Sequence, residues 1–386
     1  MIFNKVIANG CRYGKLALRH IDDAIGLYSK VMNAQARHGE TFAATPARVA
    51  DDAAMIRMAA QLTRELSAAK PALYWMDFFG SALLGYAGLA LAIGSSGWLA
   101  LAAAAVAVLA LYRAGSFIHE VSHLRPDAVP GFRTGYNLVI GVPLLVPSFM
   151  YEGVHSLHHA RTRYGTAEDP EYLPLARMKP WTVPMFVAAS ALAPLALIIR
   201  YGVLAPLGVV VPAVRRLLVA RYSALAINPD FRRRAPDGDF ARHWTRWEAA
   251  ASLWAMALIA GLASGFIPLR GFAIAFAIVS AVMVLNQIRT LVAHLWDNDG
   301  SVLTVTGQYL DSVNVPPPAL LPALWAPVGL RYHALHHLLP GLPYHALGEA
   351  HRRLTAAMPA ESPYHRASYP GLPGLVVRLV RGAPAV

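Results

Sequence analysis

The sequence predicts an all-α fold: a polytopic membrane helical bundle of two transmembrane hairpins, capped by a cytoplasmic histidine-rich domain. Three observations predict it. Hydrophobic residues make up 56% of the 386-residue chain and charged residues only 15%, with mean hydropathy +0.41, a membrane composition. Apolar runs come in two pairs, Phe78 to Tyr112 and Ala249 to Ile288, the second broken only by Arg270. Beside these runs lie nine of the fifteen histidines: His119 and His123; His155, His158 and His159; His294; His333, His336 and His337.

Residues 1–70 read as an amphipathic cytoplasmic extension, 71–358 as the membrane domain and 359–386 as a tail. Lys5, Arg12, Lys15 and Arg19 open the chain without an apolar signal core behind them. Thr45-Pro46 has the form of an N-cap followed by a first-turn proline. Val49, Ala53, Ile56, Ala60 and Thr63 then recur at helical spacing. Phe78 to Tyr112 holds two spans, turning near Gly94-Ser-Ser-Gly97. The second span continues past Arg113 to His119 and His123. Tyr136 to Met150 is too short and proline-broken to cross, so it reads as re-entrant or buried.

It delivers the second cluster, followed by a loop whose carboxylates, Asp169 among them, can hydrogen-bond the outer N–H groups of histidines. Residues 181–214 are apolar but carry four prolines, and the sequence does not decide whether they cross. Arg215, Arg216, Arg221, Arg232, Arg233, Arg234, Arg242 and Arg246 mark the next loop as cytoplasmic. Ala249 to Leu269 and Gly271 to Ile288 form the second hairpin, returning to His294. A helix is expected near Ala346 to Met358. The Pro- and Gly-rich tail from Pro359 is expected to be poorly ordered. Trp75, Trp181, Trp296 and Trp325 are candidate interface or tunnel aromatics.

The net charge is +12 and the pI about 9.9. Such a balance suits nucleic acid, but the arginines sit at the ends of apolar runs. Membrane lipid, not nucleic acid, is the expected contact. Cys11 is the single cysteine, which excludes an intrachain disulfide, a cysteine zinc site and an iron–sulfur cluster.

Residues three and four apart on a helix share a face. Each HxxHH is therefore expected to point three imidazoles one way, and HxxxH two. Imidazole suits iron, zinc, copper and nickel. Nine exceed what one tetrahedral zinc uses and suit two metal ions. His119-Glu120-Val-Ser-His123 alone matches HExxH, a zinc metalloprotease motif with glutamate as general base. That alternative leaves both HxxHH clusters unused.

The order HxxxH, HxxHH, lone His, HxxHH, with Arg-Tyr-His333-Ala-Leu-His336-His337 and Leu-Pro-Tyr-His345, resembles the integral-membrane fatty acid desaturase family over roughly residues 74 to 350. The resemblance implies a di-iron centre using O2, with His119, His123, His155, His158, His159, His294, His333, His336 and His337 as ligands. Glu120, Asp169, Asn286 and Arg289 are expected to support them. Stearoyl-CoA desaturases carry Asn one turn before the lone histidine. Here Thr290 stands there, and Asn286 lies one turn further back. The implied reaction is O2-dependent desaturation of an acyl chain, since the third cluster and its Leu-Pro-Tyr-His sequel look most like the acyl branch. Hydroxylation or ketolation of an alkyl or carotenoid substrate is the alternative. With no His-Pro-Gly-Gly haem signature, a separate donor of ferredoxin, rubredoxin or cytochrome b5 type is implied. The metal site and N-terminus are expected in the cytoplasm.

Overall fold

The computed structural model describes residues 49–319 and 321–381. Cys11 and Thr45-Pro46 lie outside them. The described chain is helical, with only isolated β-bridges. Helix α1 (Ala53–Leu62) starts at Asp52, whose carboxylate accepts the N–H groups of Ala54 and Met55 at 3.1 and 2.9 Å. Its Met55 and Ala59 are buried against Tyr332, Leu335 and Leu354.

The first hairpin is α2 (Pro71–Gly94) and α3 (Gly97–His123). A Cβ on Gly88 would lie 3.0 Å from the Ala103 carbonyl and the Ala107 nitrogen. Glycine there lets the two backbones touch, as small residues do between membrane helices. Arg113 and Asp77, the charges flanking the apolar run, form a two-pronged pair at 2.5 and 2.9 Å.

Next come α4 (Thr182–Ser190), α5 (Ala193–Val210, with a π turn at Arg200–Leu204) and α6 (Pro212–Arg221). The second hairpin is α7 (Gly238–Ala263) and α8 (Leu269–Leu291). Four described helices are long and apolar enough to cross a membrane: α2, α3, α5 and α8. The undecided 181–214 region thus supplies one of them. The expected span Ala249 to Leu269 is not among them. Its helix stops at Ala263, before a turn with Gly265 at φ +74°, which leaves too short an apolar length. The chain still turns back at Gly265, but α7 packs on the π turn of α5, and α8 on α3, α4 and α2, more than on each other. Arg270 donates to the carbonyls of Ile93 and Ser95 at 2.7 Å each. That contact joins the tips of the two hairpins, so both returning helices end on the same side.

Several arginines of the basic loop have internal duties. Arg215 and the buried Arg200 both pair with Glu248. Arg233 donates to the carbonyls of Phe149, Ser223 and Glu152 and covers the Trp244 ring at 4.5 Å.

Beyond α8, the α-helices of six or more residues among the described residues are α9 (Val305–Asp311), α10 (His333–Leu338), α11 (Leu347–Ala357) and α12 (Leu372–Arg381). Extended residues 312–315 tie them together. Val313 N–H binds the Ala293 carbonyl (2.9 Å), Val315 N–H that of Arg331 (2.7 Å), and Asn314 N–H that of Ala367 (2.8 Å). The tail, expected to be poorly ordered, is packed over its described residues 359–381. Tyr364 is fully buried, Tyr369 N–H returns to the Asn314 carbonyl at 2.8 Å, and Leu375 and Leu379 are buried. Tyr364 packs with Leu335 and Leu338 beside the third cluster, while Leu375 and Leu379, four apart on one face of α12, pack near Val292 and Trp296.

Candidate metal centre

The hub and the helix ends bring all nine histidines together. His119 and His123 come from the last turns of α3, and His155 to His159 from a single turn. His294 follows α8, and His333 to His337 form α10. They fall into two groups. His119, His123, His155, His159 and His336 form one, and His158, His294, His333 and His337 the other. Within each group one ring nitrogen per residue lies within 4.8 Å of the others.

The expectation that each HxxHH points three rings one way is corrected. Each cluster divides two and one: His155 and His159 go to the first group and His158 to the second. His333 and His337 go to the second and His336 to the first. With 3.6 residues per turn, positions i+3 and i+4 diverge by about 100° around the axis. One turn can therefore serve two adjacent sites. The groups touch, with the His159 and His337 rings stacked at 4.3 Å.

The outer nitrogens show which lone pairs face inward. His158 Nδ1 lies 2.9 and 3.0 Å from the two oxygens of Asp169, and its Nε2 3.3 Å from His294 Nε2. His155 Nδ1 lies 2.8 Å from Glu171, and its Nε2 3.0 Å from His159 Nε2. Tyr164 donates its hydroxyl to Asp311 at 2.7 Å, so its oxygen accepts from His294 Nδ1 at 2.8 Å. A ring that donates through Nδ1 carries its lone pair on Nε2. Lone pairs thus converge in both groups.

Four further buried nitrogens have no hydrogen-bond partner: both of His119, Nε2 of His123 and Nδ1 of His337. Converging lone pairs are costly in a dry site unless a cation binds them. His123 Nε2 and one nitrogen of His119 can join them, so the donor set fits metal ions. His337 Nδ1 is instead an outer nitrogen, its Nε2 facing His333 Nε2 at 3.2 Å. Burial, reinforced by the neighbouring imidazoles, pushes His155, His159, His294, His333, His336 and His337 well below the ordinary histidine value. They are neutral and able to bind metal at physiological pH. Burial opposes the charge on His158 too, but Asp169 prevails and holds it above the ordinary value.

Asp169 takes the expected supporting place, completely buried. Arg289 Nη2 approaches His333 Nδ1 at 3.4 Å. Glu120 lies 3.6 Å from His119 Nδ1 with one oxygen, while its other takes hydrogen bonds from the Tyr74 hydroxyl (2.5 Å) and Tyr344 N–H (3.2 Å). Glu120 thus ties the end of α3 to Tyr74 and Tyr344, while the metalloprotease alternative leaves the gathered histidines of both HxxHH clusters unused. Asn286 lines a cavity that His119 also lines. Glu171, Tyr164, Asp311 and Ser312 were not singled out from sequence. Glu171 belonged to the flagged acidic loop, whereas Tyr164 meets His294 across 130 residues and Asp311 across 147.

The cavity, of about 490 Å³, reaches His119, Tyr151 and Glu171 at one end. Its body is walled by Phe186, Leu225, Ile227, Val282 and Met283. None of the four singled-out tryptophans lines it. Trp296 is instead fully buried, its ring 5.0 Å behind that of His294.

The sequence model described as fatty acid desaturase matches residues 96–369, from the start of α3 to the hub's last partner. A ceramide hydroxylase from Caulobacter vibrioides is 52% identical over 327 residues, covering 84% of this chain and 93% of that one. No solved structure matches significantly. A membrane helical bundle carrying this histidine arrangement, matched over most of its length, belongs to the fatty acid desaturase family.

Proposed function

We propose that the protein is an O2-dependent di-iron hydroxylase of a membrane lipid, acting on a long-chain amide of the ceramide class. The observation that carries hydroxylation over the expected acyl desaturation is the 52% identity to a ceramide hydroxylase across 84% of the chain. The alternative reading from sequence becomes the principal one, with a lipid amide in place of an alkane or carotenoid.

His119, His123, His155, His159 and His336 would hold one iron, and His158, His294, His333 and His337 the other. The pair, when bound, supplies the strong oxidant that an unactivated C–H bond requires. Asp169, Glu171 and Tyr164 fix the outer nitrogens, so that the inner ones stay committed to metal. The apolar cavity walls hold the hydrocarbon and exclude water from it. In the overall balance, one oxygen atom of O2 enters the C–H bond and the other leaves as water. A separate donor of ferredoxin, rubredoxin or cytochrome b5 type supplies two electrons, and solvent supplies two protons. We place this chemistry, with the N-terminus, on the cytoplasmic face.

The test is lipid mass spectrometry of cells expressing the wild type or His158→Ala under labelled O2. Wild-type cells should gain a lipid carrying one labelled oxygen. A product that loses two hydrogens and gains no oxygen would return the assignment to desaturation.

A further inference from the structure

We infer that Arg289, with Gln287, Asn286 and Thr290, binds the amide of the lipid beside the histidines, so that oxidation falls on a carbon near the polar end and not in mid-chain. This rests on the hydroxylase reading and specifies its substrate and site of attack.

Four polar residues line the cavity from the last turns of α8, a helix otherwise almost wholly apolar. Arg289 is 8% exposed, its Nε has no hydrogen-bond partner, and no carboxylate pairs with it among the described residues. Gln287 Nε2 is also buried and unpartnered. A buried guanidinium without an anion is costly; a good acceptor arriving with substrate would offset that cost. The Arg289 contact at 3.4 Å to His333 Nδ1 places this acceptor one imidazole ring from the second histidine group.

The acceptor belongs to a neutral group. Glu171 lines the same cavity, so a substrate carboxylate would meet another carboxylate. An amide meets both ends well: its carbonyl accepts from Arg289, and its N–H can face Glu171. The hydrocarbon then extends away from the histidines, along Phe186, Leu225 and Ile227.

The test uses full-length protein in lipid nanodiscs, with N-octanoyl-sphingosine and free octanoic acid as probes. Arg289→Gln should keep its metal, raise KM for the amide about tenfold or more, as loss of a hydrogen bond to a charged group does, and scatter the new hydroxyl over several carbons. Arg289→Lys should restore part of the affinity and the single product. An unchanged KM with one product isomer in Arg289→Gln overturns the inference. So does equal metal loss in Arg289→Gln and Arg289→Lys, which would make the residue a prop for His333. If Arg289→Gln does not accumulate, Gln287→Leu decides: a raised KM supports amide binding and an unchanged one refutes it. If the wild type oxygenates no lipid, the hydroxylase reading fails by itself. Equilibrium binding then judges this inference: N-octanoyl-sphingosine should bind more tightly than octanoic acid, and equal affinities would overturn it.

Discussion

Replacing Asp169 by asparagine isolates the force that aims His158. The carboxylate is completely buried and receives His158 Nδ1 on both oxygens. Its Oδ2 also accepts Gly165 N–H and its Oδ1 Glu171 N–H, each at 2.8 Å. An amide has one acceptor oxygen. Whichever way the substituted side chain turns, one of those backbone donors faces an NH2 group, and a buried unsatisfied donor costs about 1–3 kcal/mol. The turn cannot move aside freely, because Gly165 is at φ +70° and sits against Asn298. The negative charge that raises His158 basicity is also lost. Removing such a partner lowers metal affinity about 10–100-fold. Metal per chain, measured by mass spectrometry over graded chelator, should fall at lower chelator in Asp169→Asn than in wild type. The exposed neighbour Glu168, paired with Arg163, provides the control: Glu168→Gln should match wild type. Unchanged metal retention in Asp169→Asn would refute the role given to this carboxylate.

His294→Ala removes one of four nitrogens from the second group and none from the first; metal content should drop to about half and oxidation should stop, and full loading would remove His294 from the site. His243, His345 and His365 bind Glu152, the Lys70 N–H and carbonyl oxygens, so each Ala variant should keep its metal, and metal loss in any of them would enlarge the site. Glu248→Gln leaves the buried Arg200 beside a neutral group; removing one partner of a buried pair costs about 3–5 kcal/mol, and an unchanged thermal midpoint would contradict the bracing role. Burial, with help from Arg331 and His365, pushes His351 down to about 4 from 6.5. It is neutral when folded, so stability is intact above the unfolded value and falls as pH drops from 6.5 toward 4. Linkage gives a loss of about 2 kcal/mol at pH 5. Thermal melts of His351→Gln should lack that part of the acid loss, and identical pH profiles would place it elsewhere.

What the sequence made legible is what depends on neighbours in the chain. The two hairpins follow from charge-free runs, and the histidines are found because ligands on one helical turn must lie three and four apart. Distant pairings left no local mark. Residues 312–315 look like any loop, yet they join His294, His333 and the tail through three sets of backbone bonds. Tyr364 reads as part of a loose tail because nothing beside it in sequence supplies a core, whereas Leu372, Leu375, Val376 and Leu379 do recur at helical spacing. The partner of the Tyr364 carbonyl, Tyr309 at 2.6 Å, comes from 55 residues away. Counting turns puts Asn286 near the histidines. Counting fixes distance along a helix, but only the packing of α8 decides which side faces the cavity.

The same distinction explains why the third cluster says little about which branch of the superfamily the chain serves. The spacing i, i+3, i+4 spreads ligands by about 100° on a helix. Any turn shared by two adjacent ions needs that spread, whatever their product. HxxHH therefore carries information about the number of metal sites and none about the fate of the substrate. That fate depends on which carbon the cavity holds near the histidines and on whether a second hydrogen lies within reach. Phe186, Leu225, Ile227, Val282 and Arg289 line that cavity, and they come from α4, α8 and the loop before α7. No short motif can contain residues so dispersed. Similarity over the whole chain samples all of them together, and for this reason the proposal of hydroxylation rests on it and not on the histidine boxes.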